Sequence, residues 1–237
     1  MRSTERGGKI MFRNKKILGF TLMAMMGFSA IAAQGTIAKP LTVPAGLTKV
    51  YVTGEKESET IFSTPNGTIK CSTDHFHGSG SAASGSVNEL TVETTYSVCT
   101  AFGFATAHVK MNGCVDTFTT PTSISPGVVT WGPSQYHIVC PAEKRIEITP
   151  TTFGVSACTQ FIASQTPTSG HMVGRNGTTV SPMDVTLEDT FEGIHYTGTG
   201  GVCGNSETHS DGKSTVNITM TCFADQPKTA PVDCTFS

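Results

Sequence analysis

The residues best suited to chemistry lie in "CSTDHFHGSGSAASGS" (71–86), where Cys71, His75 and His77 precede a tract of Gly, Ser and Ala. Imidazole and thiolate are the usual ligands of zinc. On a strand continuing in register from "GTIKC", Ile69, Cys71, Thr73, His75 and His77 share one face, with Asp74 and Phe76 on the other. That is a His-x-His arrangement, which still needs a third ligand from elsewhere. His108 alternates with Ala107 and Val109 and faces out, and His209 lies in the polar stretch "NSETHSDGK". His137, His171 and His195 have no face assigned by pattern. A strand that instead ends or bulges near Thr73 turns Phe76 inward and leaves both histidines in solvent. The tract "GSGSAASGS" offers little packing to hold two imidazoles rigid, and working ligands need fixed neighbours. The expectation is therefore a strand end entering a mobile loop, with no metal residue assigned.

Other reactive patterns are weaker still. There is no Gly-x-Ser-x-Gly elbow, no His-Glu-x-x-His and no phosphate loop, and "SDGK" (210–213) matches Ser-x-x-Lys only as a string in a turn. Glu188 and Asp189 point to opposite sides of a strand, and Asp184, Glu188 and Glu192 read as a solvated face more readily than as a glycosidase dyad. No catalytic residue and no cofactor follow from these patterns. Asn66, Asn176 and Asn217 begin Asn-x-Ser/Thr strings.

The elements that would position such residues are framed by an N-terminal leader. Six basic residues between Arg2 and Lys16 precede the apolar run 17–33, which ends in "FSAIAAQG" with Ala30 and Ala32 in small-x-small spacing. This is the form of a secretory signal peptide, residues 1–32, and Met11 is an alternative start. Beyond it lie 10 Lys and Arg against 17 Asp and Glu, a net charge of −7. An acidic chain without a basic cluster argues against nucleic acid and anionic membranes as partners. The run is also too short for a transmembrane helix, so no membrane insertion is expected once the signal is cleaved.

All eight cysteines, Cys71, Cys99, Cys114, Cys140, Cys158, Cys203, Cys222 and Cys234, lie beyond the leader. An even count in an oxidising compartment predicts four disulfides, and the gaps are too wide for a zinc-thiolate site. Eight cysteines allow 105 connectivities. Cysteine parity about residue 134 requires one bridge across it, for which Cys114 with Cys140 is the shortest. Cys222 with Cys234 would secure the C-terminal tail, and the remainder is best closed as Cys71 with Cys99 and Cys158 with Cys203.

Period-two alternation in "ELTVETTYSVC" (89–99), "RIEIT" (145–149), "MDVTLEDTF" (183–191) and "STVNITMTCF" (214–223) predicts half-buried antiparallel strands. Asn66-Gly67, Asn112-Gly113, Asn176-Gly177 and Asp211-Gly212 supply tight turns. No segment has a helical period, so the class is all-β. The architecture expected is an antiparallel sandwich of two immunoglobulin-sized lobes, 47–134 and 135–237, after an extended linker at 33–46, with one larger domain as the alternative.

"CTAFGFATAHVKMNGC" (99–114), "VCPAEKRIEITPTTFGVSACT" (139–159) and "GIHYTGTGGVC" (193–203) resemble a pattern of uncharacterised exported, disulfide-containing, β-rich proteins of actinobacteria. The resemblance spans most of 70–220. It implies secretion and β structure and brings no catalytic residue with it.

Three functions fit. The first is a secreted or cell-surface non-enzymatic β protein that binds an unknown protein or cell-envelope partner. The second is a secreted metal-assisted hydrolase using His75 and His77. The third is a small-ligand carrier with its site in the mouth of a β-barrel.

Overall fold

The computed structural model describes residues 41–125, 127–156, 158–177, 184–200, 203 and 206–236; the leader lies outside them. A short strand β1 (Leu41–Thr42) precedes the first stave of a barrel, built from β2 (Lys49–Lys56) and β3 (Thr60–Thr64). The second stave is β4 (Gly67–Ala83); after β5 (Ser86–Val87) comes the third, β6 (Leu90–Ala101). The fourth combines β7 (Ala105–Lys110) and β8 (Val115–Phe118). A side hairpin of β9 (Ser123–Ser125) and β10 (Val128–Trp131) leads into the fifth, β11 (Tyr136–Val139) with β12 (Ile146–Thr152). Strand β13 (Val155–Ser156) turns back toward the sixth, β14 (Thr159–Ile162) with β15 (Ser169–Asn176). The seventh and eighth are β16 (Asp184–Thr199) and β17 (Thr208–Phe223), and β18 (Thr235–Phe236) follows.

Each stave pairs antiparallel with the next, and β17 returns to pair with both β2 and β3. The fifth and sixth staves meet through β12 and β14 and the bridge between Ile138 and Gln165. Among the described residues the result is an eight-stave, up-and-down antiparallel barrel. Closure removes the open sheet edges that would otherwise invite association. The all-β antiparallel class is as the alternation predicts, but the expected sandwich is instead a closed ring. Its staves come from both sides of residue 134, β8 pairs with β11 across that point, and Thr36–Ser237 is one compact unit rather than two lobes.

Inward residues alternate along each stave, as in Val50 and Val52, Leu90 and Val92, Val185 and Leu187, and Ile218 and Met220. At the waist this alternation changes phase. In β4 the buried set passes from Ile69 and Cys71 to Asp74 and Phe76, and in β6 from Leu90, Val92 and Thr94 to Cys99 and Ala101. Ser72 and Val98 are skipped in the ladder at this point; Val98 has φ 50° and is exposed, and the Ser72 hydroxyl donates to its carbonyl. In β16 the same change occurs at Gly193 (φ 72°), where the ladder with β17 shifts register. In β16 this is a β-bulge, whereas β4 and β6 each pass over one residue together with their register unchanged; either way every later side chain is re-aimed, which is how one strand serves two halves of the core.

Strand β4 also corrects the reading of 78–86: the Gly/Ser/Ala tract continues the strand to Ala83 and is not a loop. The reason is close approach. A Cβ on Gly78 would stand 2.6 Å from the Thr91 carbonyl oxygen, and one on Gly80 would meet the Val87 side chain and the Glu89 carbonyl. Small residues are needed because the chain folds back tightly over this stave.

One end of the barrel is capped by β5, β1 and β18, paired in that order. Leu41, Val87 and Phe236 are buried there, and the Phe236 ring lies edge-on to Trp131 at 5.3 Å. The Asn176 side chain holds the backbone of Phe236 through two hydrogen bonds. The disulfides are Cys71–Cys99, Cys114–Cys140, Cys158–Cys203 and Cys222–Cys234. The first lies beside the phase change of β4 and β6, the second ties the β7–β8 junction to the end of β11, and the last anchors the C-terminal tail to β17.

Candidate functional site: a buried acid and tyrosine cluster

His75 and His77 are exposed on the outside of β4, because the phase change at Ser72 puts Asp74 and Phe76 inside. His77 Nδ1 lies 3.0 Å from Lys228 Nζ; burial and the Lys228 charge lower its pKa. No group of three or more His, Cys, Asp or Glu side chains able to hold a metal ion occurs among the described residues. His108 faces out, and His209 belongs to β17, not to a loop, with its ring stacked on Tyr196 at 4.9 Å. The eight cysteines are all in disulfides, so no thiol is available as a nucleophile.

The titratable groups that the fold does bring together are inside the barrel. Strand β8 carries Asp116 on the same side as Cys114 and Phe118, and β16 carries Asp189 in the inward series Leu187, Asp189, Phe191. Across the interior, Tyr136 of β11 is sandwiched between Phe118 (5.2 Å) and Phe191 (4.4 Å). Its hydroxyl donates to Asp116 Oδ1 at 2.7 Å, while the Thr94 hydroxyl donates to Asp116 Oδ2 at 3.2 Å. Asp189 Oδ1 accepts the Val216 amide at 2.7 Å. Tyr96 lies among the acids and feels the charges of Asp116, Asp74 and Asp189.

Burial governs the ionisation of this cluster. It raises Asp116 to about 6, against the opposing hydrogen bonds from Tyr136 and Thr94. It raises Asp189 to about 8; the Val216 amide opposes the rise and the Asp116 charge adds to it. Both acids therefore hold their protons to higher pH than a solvated carboxyl, Asp189 further than Asp116, the usual outcome for two acids sharing one poorly solvated space. Burial likewise raises Tyr96 and Tyr136 far above their ordinary range. Asp74, at 2% exposure, is also raised by burial; Thr60, Lys56 and His75 partly offset this. Neither Asp74 oxygen, nor the Thr60 hydroxyl, has a hydrogen-bond partner within normal geometry among the described residues.

Two small cavities adjoin the cluster. One of about 70 Å³ is lined by Thr60, Tyr96, Asp116 and Tyr136 together with Ile146, Ile148 and Ile162. Another of about 30 Å³ is lined by Phe76, Tyr96, Asp116, Tyr136, Asp189 and Met220. Asp189 and Tyr96 keep some accessible surface, and both line the smaller cavity. Rooms of this size hold a few waters, and are far below the roughly 300–1,000 Å³ of pockets that take drug-sized ligands.

Pattern reasoning places Glu188 and Asp189 on opposite sides of their strand, and the structure does the same: Glu188 pairs with Arg175 at 3.6 Å outside while Asp189 points in. The signal for the cluster is present in the sequence as an acid occupying an apolar register position, in "VTLEDTF" and in "CVDTF". No family model, curated protein or solved structure matches the chain.

Proposed function

We propose that the protein is an exported, non-enzymatic β-barrel that acts by binding an extracellular or cell-envelope partner on its outer surface. The leader at 1–32 and four disulfides support export, since such bridges persist in oxidising compartments. One observation carries the non-enzymatic reading: Asp116 and Asp189, the two carboxyls that burial raises furthest, face cavities of about 70 and 30 Å³ inside a closed ring. A general acid or base must reach its substrate within hydrogen-bond distance, and a sugar or peptide does not fit there.

Carbodiimide coupling of the native protein to an amine, mapped by peptide mass, tests this. Glu188 and Glu192, whose carboxylates reach solvent from the same strand, are expected to be modified while Asp116 and Asp189 are spared until the protein is unfolded. Labelling of either aspartate at the rate of the two glutamates would show an open site and restore the hydrolase reading.

A second reading rests on Thr60, a buried hydroxyl that lines the larger cavity, and on Asp74, the buried carboxyl it approaches, neither of which makes a hydrogen bond of full geometry among the described residues. They suit a very small hydrogen-bond donor held inside the barrel. Native mass spectrometry should then show an adduct that Asp74→Asn removes; equal masses after gentle and harsh desolvation would dismiss it.

A further inference from the structure

Three of the five exposed large hydrophobic side chains among the described residues stand on two hairpins at one end of the barrel: Phe104 (74% exposed), Phe153 (102%) and Val155 (70%). A fourth, Val98, lies a few residues below on β6. The hairpins are neighbours, because β7 pairs with β12 up to Thr106 opposite Thr151. Continued by two residues, that register sets Phe104 opposite Phe153.

The turns are built against local preference. Thr152 pairs with Val155, so Phe153-Gly154 is a two-residue turn with φ 50° and 78°. Such turns favour Asn-Gly, and a bulky side chain at positive φ is strained. The β6–β7 turn repeats the choice with Phe102-Gly103 at φ 57° and 79°. Elsewhere in the chain Asn112-Gly113 and Ser84-Gly85 meet the same backbone demand with small polar residues. Phe102 has a structural use, since its ring fills the space where a Gly67 Cβ would stand. Phe153 is fully exposed and has no such use. Strain retained at an exposed position points to a role outside the fold.

The surroundings select the partner. Residues 94–109 and 148–174 contain no Lys, Arg, Asp or Glu, although the chain beyond the leader carries a net charge of −7. A charged partner finds nothing to pair with on these hairpins. A second copy of the chain is also a poor fit, because three protruding side chains fall far short of the roughly 800 Å² per partner of a stable interface. Protruding phenyl rings on uncharged tips suit shallow insertion into the boundary of headgroups and acyl chains, where buried apolar area supplies the affinity.

We infer that the two hairpin tips, led by Phe104 and Phe153, form a peripheral anchor for uncharged, zwitterionic lipid surfaces. This rests on the surface-binding reading above and names its partner. It requires no membrane span, and no helix among the described residues is long and apolar enough to make one.

The test is sedimentation of phosphatidylcholine vesicles with protein processed by an exporting host, so that the apolar leader is gone. Wild-type protein should co-sediment. Phe153→Asn, which places the preferred residue in its turn and so keeps the fold, should weaken binding about tenfold, and Phe104→Ser by a comparable factor, the loss expected when one buried phenyl is removed. Replacing a third of the lipid by phosphatidylglycerol should weaken binding further, because the acidic barrel is repelled. Absence of wild-type binding, or binding that ignores both substitutions, overturns the anchor. So does wild-type self-association, seen by sedimentation velocity, that Phe153→Asn abolishes, which would make a second copy the occupant. None of these outcomes affects the carbodiimide experiment, so failure of the anchor and failure of the non-enzymatic reading are separable.

Discussion

At the waist of the barrel Asp116, Asp189 and Tyr136 place ionisable groups where apolar side chains are the rule, whereas at the hairpin end Phe104 and Phe153 place apolar rings where polar turn residues are the rule. The costs are met differently. Asp116 is held by two hydroxyls and Asp189 by a backbone amide, so the waist satisfies most of its own demands from within the fold. Phe153 is fully exposed and is matched by nothing among the described residues. A rule broken and compensated locally is consistent with a packing role, while one broken without compensation calls for a partner.

The sharpest way to break the waist is to cut the disulfide next to it. Cys114→Ser with Cys140→Ser removes a bridge of sequence separation 26, two residues from Asp116. From the chain entropy of such a loop, a loss of about 3.5 kcal/mol is expected. Urea denaturation of the double variant measures it, and a loss below about 1 kcal/mol would mean that the other staves hold the ring without it.

Next in size is a pH dependence set by the buried acids. Both have folded-state pKa values above the ordinary 3.8, so from about pH 4 up to about 6 for Asp116, and about 8 for Asp189, the folded protein binds more protons than the unfolded chain. Their contribution is complete below about pH 4 and is lost as the pH climbs through 6 and then 8. After discounting for the surface Asp189 keeps, the decline between pH 5 and 8.5 should be about 2–3 kcal/mol, because each tenfold change in proton affinity between folded and unfolded chain is worth about 1.4 kcal/mol. Asp189→Asn should flatten the alkaline part of the curve. Denaturation curves that are level over this range in the wild type would place the acids in contact with water.

Phe153→Asn is expected to raise stability by about 1 kcal/mol, through relief of strain at positive φ. A fall in melting temperature instead would show that the ring packs against the barrel, and would erase the contrast with the waist. The smallest effect belongs to the exposed histidines. His75→Ala with His77→Ala should change stability by less than about 1 kcal/mol, and zinc should not raise the melting temperature of the wild type. A zinc-dependent rise lost in the double variant would reinstate the metal site.

Much of this is legible in the sequence. Period-two alternation specifies the all-β antiparallel class, and cysteine parity with strand order points to the bridge from Cys114 to Cys140; of the turn dipeptides, Asn66-Gly67 and Asn112-Gly113 mark turns, whereas Asp211-Gly212 lies inside β17, where Gly212 pairs with Ile194 at a shift of register. The tract 78–86 is not legible as a strand, because its glycines answer to Val87, Thr91 and Glu89, contacts that composition cannot express. Alternation puts Asp189 on the apolar face of Val185, Leu187 and Phe191 and Glu188 on the other, but it does not show that Asp116 and Tyr136, from strands far away in the chain, meet Asp189 inside the barrel.

By itself, then, the amino-acid sequence determined what is local: strand periodicity, part of the turn chemistry, an even set of cysteines beyond an apolar N-terminal run, and the charge-free hairpins. Ring closure between the first stave and the eighth, the waist that switches Asp74 and Phe76 inward in place of His75 and His77, and the joining of Asp116, Tyr136 and Asp189 were decided only in three dimensions. The physical reason is that pairing register and bulges depend on contacts between residues far apart in the chain, and one skipped ladder position reverses the facing of every side chain after it.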